Sequence, residues 1–156
     1  MISLPDVELR QLPAIGVAVV RRRVPASMLS RVVPECCGLV WKALRAQEVK
    51  PGRNVAIYWD GEIRLEVGAE IDVPFRQEGE LVASATPAGS VACATHYGPY
   101  DQLGRTHRAI VEWCKSNGHR LVGPNWELYG HWMEAWNNDP SRIRTDVFYQ
   151  VSPRAG

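Results

Sequence analysis

The sequence predicts an α+β fold. Two pseudosymmetric β-α-β-β repeats form one antiparallel sheet, with two helices packed on one face and a concave groove on the other. The first observation behind this is an internal echo. Pro13-Ala14 recurs as Pro87-Ala88, Val17-Ala18 as Val91-Ala92, Pro25 as Pro99, Trp41 as Trp113, Pro51 as Pro124 and Tyr58 as Tyr129, at offsets that shrink from 74 to 71. The second is that each copy passes from a β-rich stretch through a helical stripe to strand-like alternation. The third is size: 156 residues with 46% apolar content support one core and fall short of two. Either unit alone would leave a sheet face bare, so a single domain over 1–156 is expected, with halves 1–71 and 81–151 around a linker at 72–80.

The first strand falls between about Val7 and Arg23, around Val17 and Val19, with Pro13 as a turn or edge marker. From Ala26 to Ala46, the apolar residues Leu29, Val33, Cys36 or Cys37, Val40 and Leu44 follow one helical face. Proline costs nothing at a first helical position and much further in, so the main helix is expected from Pro34 to Gln47. Lys50-Pro51-Gly52 closes it. Asn54 to Trp59 reads as a strand and Asp60-Gly61 as a hairpin turn. The returning strand sets Ile63, Leu65, Val67, Ala69 and Ile71 on one face and Glu62, Arg64, Glu66 and Glu70 on the other. In the second copy a helix spans Tyr100 to Asn117, with Leu103, His107, Ile110 and Cys114 on its stripe and Gly118 as its cap. The first strands of the two units are expected to meet at the pseudo-twofold axis. There Val91, Cys93 and Thr95 suit the helix side, while Ala92, Ala94 and His96 suit the groove, the alanines flooring it.

Charge and composition exclude several classes. Eighteen basic and seventeen acidic residues leave +1, so no basic field attracts nucleic acid, and Arg21-Arg22-Arg23 lacks interleaved aromatics; direct nucleic-acid binding is not expected. The N-terminus has no leader pattern, and the apolar run Ala14 to Val20 is too short for a bilayer, which predicts a cytoplasmic protein with no membrane partner. Cys36, Cys37, Cys93 and Cys114 read as reduced core residues. With His96, His107, His119 and His131 they form neither C-x-x-C nor H-x-x-x-H, so neither a metal nor another cofactor is expected.

One stretch carries chemistry. Gly123-Pro124 opens an aromatic run to Trp132 that reads as a strand, with Glu127, Tyr129 and His131 on one face and Trp126, Leu128 and Trp132 on the other. A lone acid in such a run is costly unless partnered. Aligning Tyr58 with Tyr129 puts Ala56 where Glu127 stands, so the cavity should hold one acid and not two. By parity Phe148 points with Asp146 and Gln150 to the groove, because Val147, Tyr149 and Val151 make the better core face. Trp132 and Trp136 could wall the mouth. His107 reads as a satisfied core histidine, and His96 either fixes the strand-to-helix turn or brings an imidazole to the groove.

The run Thr86 to Leu103 (TPAGSVACATHYGPYDQL), the following helix, Pro124-x-Trp-Glu-Leu-Tyr129 and the closing Arg144-Thr-Asp-Val-Phe-Tyr-Gln-Val151 together resemble the GyrI-like effector-binding family. This small-molecule domain also occurs behind DNA-binding domains in multidrug-responsive regulators of the AraC and MerR types. Gln150 stands where relatives often carry proline, and no helix-turn-helix segment is seen, which implies a stand-alone copy. The resemblance implies a lipophilic, cationic or aromatic small-molecule ligand, with Glu127 pairing the charge and Tyr129 beside it. The implied binding set is Glu127, Tyr129, Tyr58, Phe148, Trp132, Trp136, His96, Ala92 and Ala94, serving a sensor or sequestering protein. Some stand-alone members resemble hydrolases that open reactive rings of cytotoxic natural products; Glu127 would then be general base and Tyr129 proton donor. A third implication is a protein partner, such as a regulator or DNA gyrase, which the family's namesake restrains.

Overall fold

The computed structural model describes residues 5–60 and 64–153. Its elements are β1 (Glu8–Leu12), β2 (Gly16–Arg23), α1 (Leu29–Ala46), β3 (Asn54–Tyr58), β4 (Arg64–Glu70), β5 (Val82–Ala85), β6 (Gly89–Tyr97), α2 (Leu103–Ser116), β7 (Leu121–Tyr129), α3 (Ala135–Asn138) and β8 (Arg144–Val151). The strands form one antiparallel eight-stranded sheet in the order β1-β6-β8-β7-β3-β4-β2-β5. The expected Asp60-Gly61 turn runs into residues 61–63, which lie outside the described residues. No described helix is long and apolar enough to cross a membrane.

The strands that meet at the centre are β3 and β7, and not the first strand of each unit as expected. Their ladder pairs Asn54 with Tyr129, Ala56 with Glu127 and Tyr58 with Asn125. A twofold that exchanges residues 71 apart maps this ladder onto itself, with its axis at the Ala56–Glu127 pair.

The expected strand from Val7 to Arg23 is two strands, broken at Pro13-Ala14-Ile15, and they lie in different halves of the sheet. β1 pairs only with β6, and β5, which sits 74 residues further on, pairs only with β2. Each unit thus lends its leading strand to the other. This exchange dictates the curvature. Six strand spacings separate β1 from β2 in the sheet order, roughly 29 Å if flat, whereas a link of three residues spans at most about 14 Å. The sheet must curl until its ends meet, and Ile15 and Thr86 of the two links are hydrogen-bonded there.

Curling fills the face away from the helices. Val17, Val19, Val55, Ile57 and Val91 are fully buried there, beside Trp126, Leu128 and Cys93. The face expected to be a groove is therefore a packed core. Strand parity places the other cluster: Ala56, Glu127, Val147 and Ala94 lie in one row across four strands and so share a face. On that face α1 packs Cys36, Val40 and Leu44 against Ala18, Leu65 and Val67, and α2 packs Ile110 and Cys114 against Ala92, Ala94 and Val147. Both helices and Glu127 are on the same side. Ala92 and Ala94 were expected opposite the helices; their small side chains instead let α2 approach.

Two further expectations change in the helices. α1 begins at Leu29 and runs through Pro34. Pro34 and Ser30 are both exposed, so water can reach the carbonyl that loses its partner, while the buried stripe Val32, Cys36, Val40 and Leu44 continues on both sides. Single 3-10 turns at Ala26–Met28 and Tyr100–Gln102 precede the two helices, and both turn and helix starts are offset by 74. Buried Val32, Cys36 and Val40 match Thr106, Ile110 and Cys114 at that same offset. Trp41 and Trp113, 72 apart, are therefore not counterparts. The contraction falls at the helix ends, since α1 has 18 residues and α2 has 14.

Candidate functional site

Glu127 sits on β7 at the twofold axis, on the sheet face that α1 and α2 cover, and is 5% exposed. Its carboxylate is fully engaged. The Tyr129 hydroxyl donates to Oε1 at 2.6 Å and the Tyr58 hydroxyl to the same oxygen at 3.2 Å. His107 Nε2, from α2, donates to Oε2 at 2.7 Å. The other ring nitrogen, Nδ1, is 2.7 Å from the Tyr149 hydroxyl on β8. A chain Glu127–His107–Tyr149 results, with the Tyr149 ring edge-on to the imidazole at 5.5 Å.

Local sequence explains how these groups converge. Parity puts Tyr58 and Tyr149 in the row next to that of Glu127, each paired with Asn125. Their long side chains lean back to the carboxylate and the imidazole. Tyr129 packs against the helix-side clusters of both α1 and α2, closing the seam between them, and Tyr100 meets it edge-on at 5.8 Å. The Asn125 Oδ1 beside them is buried without a hydrogen-bond partner among the described residues.

Electrostatics follow from this enclosure. Burial pushes the Glu127 carboxyl up, but the hydrogen bond and charge of His107, then the Tyr129 and Tyr58 hydroxyls, outweigh it and leave the acid below its usual 4.5. Burial, followed by the Glu127 charge, drives Tyr129 and Tyr58 well above the usual phenol value. Burial also raises Tyr149. All three stay protonated, and Tyr129 and Tyr58 act as donors to one ionised carboxylate. No group of metal-ligating side chains is assembled among the described residues.

The remaining sequence candidates divide. Ala92 and Ala94 lie under α2, on the same face as Glu127. His96 is buried and held by Thr106 at 2.9 Å and the Pro99 carbonyl at 3.1 Å, fastening β6 to the turn before α2, away from the carboxylate. Phe148, expected beside Glu127, is on the opposite face and stacks on Trp126 at 5.1 Å; residues 147 and 149 are the ones that face the helices. β7 ends at Tyr129, so His131 and Trp132 lie beyond the strand, and Trp132 is 53% exposed and bonded to Asn137. Trp136 is buried beside Gly130, edge-on to Trp132 at 5.4 Å. Neither tryptophan bonds to the carboxylate.

Sequence reasoning missed His107 as the partner of Glu127 and Tyr149 as the partner of His107. A signal existed for the first: at the helix offset of 74, His107 matches Val33, so a polar ring interrupts an otherwise apolar stripe. Tyr149 carried none, because a tyrosine on a core face reads as packing.

The EcmrR C-terminal domain superposes with a TM-score of 0.78 at 22% identity, covering 96% of this chain and 99% of that one. The chain spans 59% of the EcmrR polypeptide in a regulator–DNA complex. SAV2435, solved bound to tetraphenylphosphonium, aligns with a TM-score of 0.65 at 10% identity over 94% of each chain. A hydrolase from Listeria innocua gives 0.59 at 12% identity, over 96% of this chain and 93% of its own. No curated protein sequence matches. At these identities the likeness is one of fold. The family profile is decisive: it matches residues 5–152, and the chain belongs to the family of GyrI-like small molecule binding domains.

Proposed function

We propose that the protein captures lipophilic, cationic and aromatic small molecules in the cleft between α1 and α2, as a sensor or sequestering protein. One observation carries the reading: the buried carboxylate of Glu127, held ionised at the twofold axis and flanked by the hydroxyls of Tyr58 and Tyr129. An ionised acid in an aromatic enclosure attracts a flat cation through charge and ring faces together. SAV2435, which shares the fold, was solved with a lipophilic cation, in keeping with this chemistry. In the proposal Tyr149 and His107 join Glu127, Tyr129 and Tyr58 in the site, and Phe148 leaves it. Glu127 is covered in the closed cleft, so a ligand reaches it by displacing Tyr100 from Tyr129. Calorimetric titration with tetraphenylphosphonium tests the reading: Glu127→Gln keeps the shape and removes the charge, and affinity falls by roughly 2 to 5 kcal/mol. Equal affinity in wild type and variant sinks it.

A second reading, hydrolysis of an electrophilic ring, is favoured by the Glu127–His107–Tyr149 chain. His107, oriented by the carboxylate, would take the proton from an attacking water and a tyrosine hydroxyl would protonate the leaving group. In that case Glu127→Gln leaves binding of the reactive compound largely intact and abolishes turnover.

A further inference from the structure

We propose that His107 is the protein's own counter-cation for Glu127, and that a cationic ligand replaces it, so that capture of the cation releases one proton. The inference rests on the reading of Glu127 as the ligand's charge partner, and it makes His107 a determinant of which molecules bind and at what pH.

The geometry singles out His107. Among the described residues the ion-pairing partner of Glu127 is this imidazole, at 2.7 Å. A carboxylate so deeply buried is costly without a neutralising charge, and a protonated imidazole supplies one until a ligand arrives. A second cation brought against the same carboxylate repels the imidazolium. The other titratable groups around the pair are Tyr129 on β7, Tyr58 on β3 and Tyr149 on β8, with Cys37 of α1 near Tyr129 and Cys114 of α2 near Tyr149. Burial holds each of these five neutral: it pushes Cys37 up to about 12 and raises Cys114 and the three phenols. That leaves Glu127 and His107 as the pair through which the proposed exchange runs.

Tyr149 lets the ring change state in place. While His107 is protonated, Nδ1–H donates to the Tyr149 oxygen; once neutral, Nδ1 accepts the Tyr149 O–H across the same 2.7 Å. The hydrogen bond reverses and no buried group is orphaned. The proton leaves to water past half-buried Tyr149. The balance is one ligand cation in and one proton out, so the net charge of the site is unchanged. A neutral aromatic ligand has no such exchange.

The test is calorimetric titration of the full chain with tetraphenylphosphonium between about pH 5 and pH 8, where imidazoles change charge, in two buffers of different ionisation enthalpy. In wild type the binding enthalpy should differ between buffers, up to one proton released per cation, and affinity should weaken by up to about tenfold per pH unit on acidification. Above about pH 7, His107→Gln should bind with an affinity that pH does not change and with no buffer dependence; at lower pH, where Glu127 without its imidazole takes up a proton itself, a dependence returns. Carbon-proton spectra of the four histidines during titration assign the proton without a variant, should His107→Gln fail to fold. Binding that ignores pH and buffer, or a proton traced to His96, His119 or His131, overturns the exchange and leaves the Glu127 reading standing. Absence of binding at every pH overturns both.

Discussion

Ala56 and Glu127 face each other across the β3–β7 ladder as twofold counterparts, one a methyl group and the other the buried acid of the cleft. The duplicated architecture therefore holds one charge where symmetry alone would put two. Ala56 is fully buried, and a second carboxylate there would lie beside the first, whose ion-pairing partner, His107, is already engaged. Ala56→Glu should cost about 3 to 5 kcal/mol, the range for an uncompensated buried charge. Urea denaturation at neutral pH checks it.

Acid should reveal the Glu127 network. Its folded-state ionisation lies below the usual 4.5, so it contributes stability above that value and loses it as pH falls through the folded one. Below pH 4.5 wild type should therefore lose stability more steeply than Glu127→Gln, which has nothing there to protonate. Denaturant midpoints at successive pH values give the comparison; parallel curves would show that the carboxylate is not linked to folding.

Gly68 on β4 is required by close approach. A Cβ at this position would lie 1.8 Å from the Ala18 carbonyl of β2. Gly68→Ala must part the β2–β4 ladder, and a loss of about 3 kcal/mol is expected, the upper end for overpacking. Thermal unfolding of the variant measures it.

The two sheet faces can be separated by mutation. Phe148→Ala removes the partner of Trp126 on the far face and should lower stability by about 2 kcal/mol, less than for a fully buried ring, with no change in tetraphenylphosphonium affinity. Tyr129→Phe removes the 2.6 Å hydrogen bond to Glu127, and affinity should change by roughly 1 to 3 kcal/mol. A Phe148 variant that loses affinity would put the site on the wrong face.

Much of this protein is legible in its sequence because the signals are local. Period-two runs such as Leu65, Val67 and Ala69, the helical stripe through Ile110 and Cys114, and the recurrence of Tyr58 as Tyr129 specify the elements, the duplication and the grouping of Glu127 with Tyr129 on one strand face. Each depends on residues a few positions apart, or on comparison of two aligned copies.

What only the tertiary structure decided depends on long-range closure. The exchange of β1 and β5 between the halves curls the sheet, and that curl turned an expected groove into a core around Val17, Ile57 and Trp126 and moved the site beneath the helices. Strand parity could group Glu127 with Tyr129 but could not say which face would be covered, because both faces bury apolar side chains. Nor could a helical stripe announce that His107 reaches a carboxylate 20 residues away while Tyr149 comes to its other nitrogen from 42. Those contacts exist only after β7, β8 and α2 have packed, since hydrogen-bond geometry is a property of assembled positions and not of spacing along the chain.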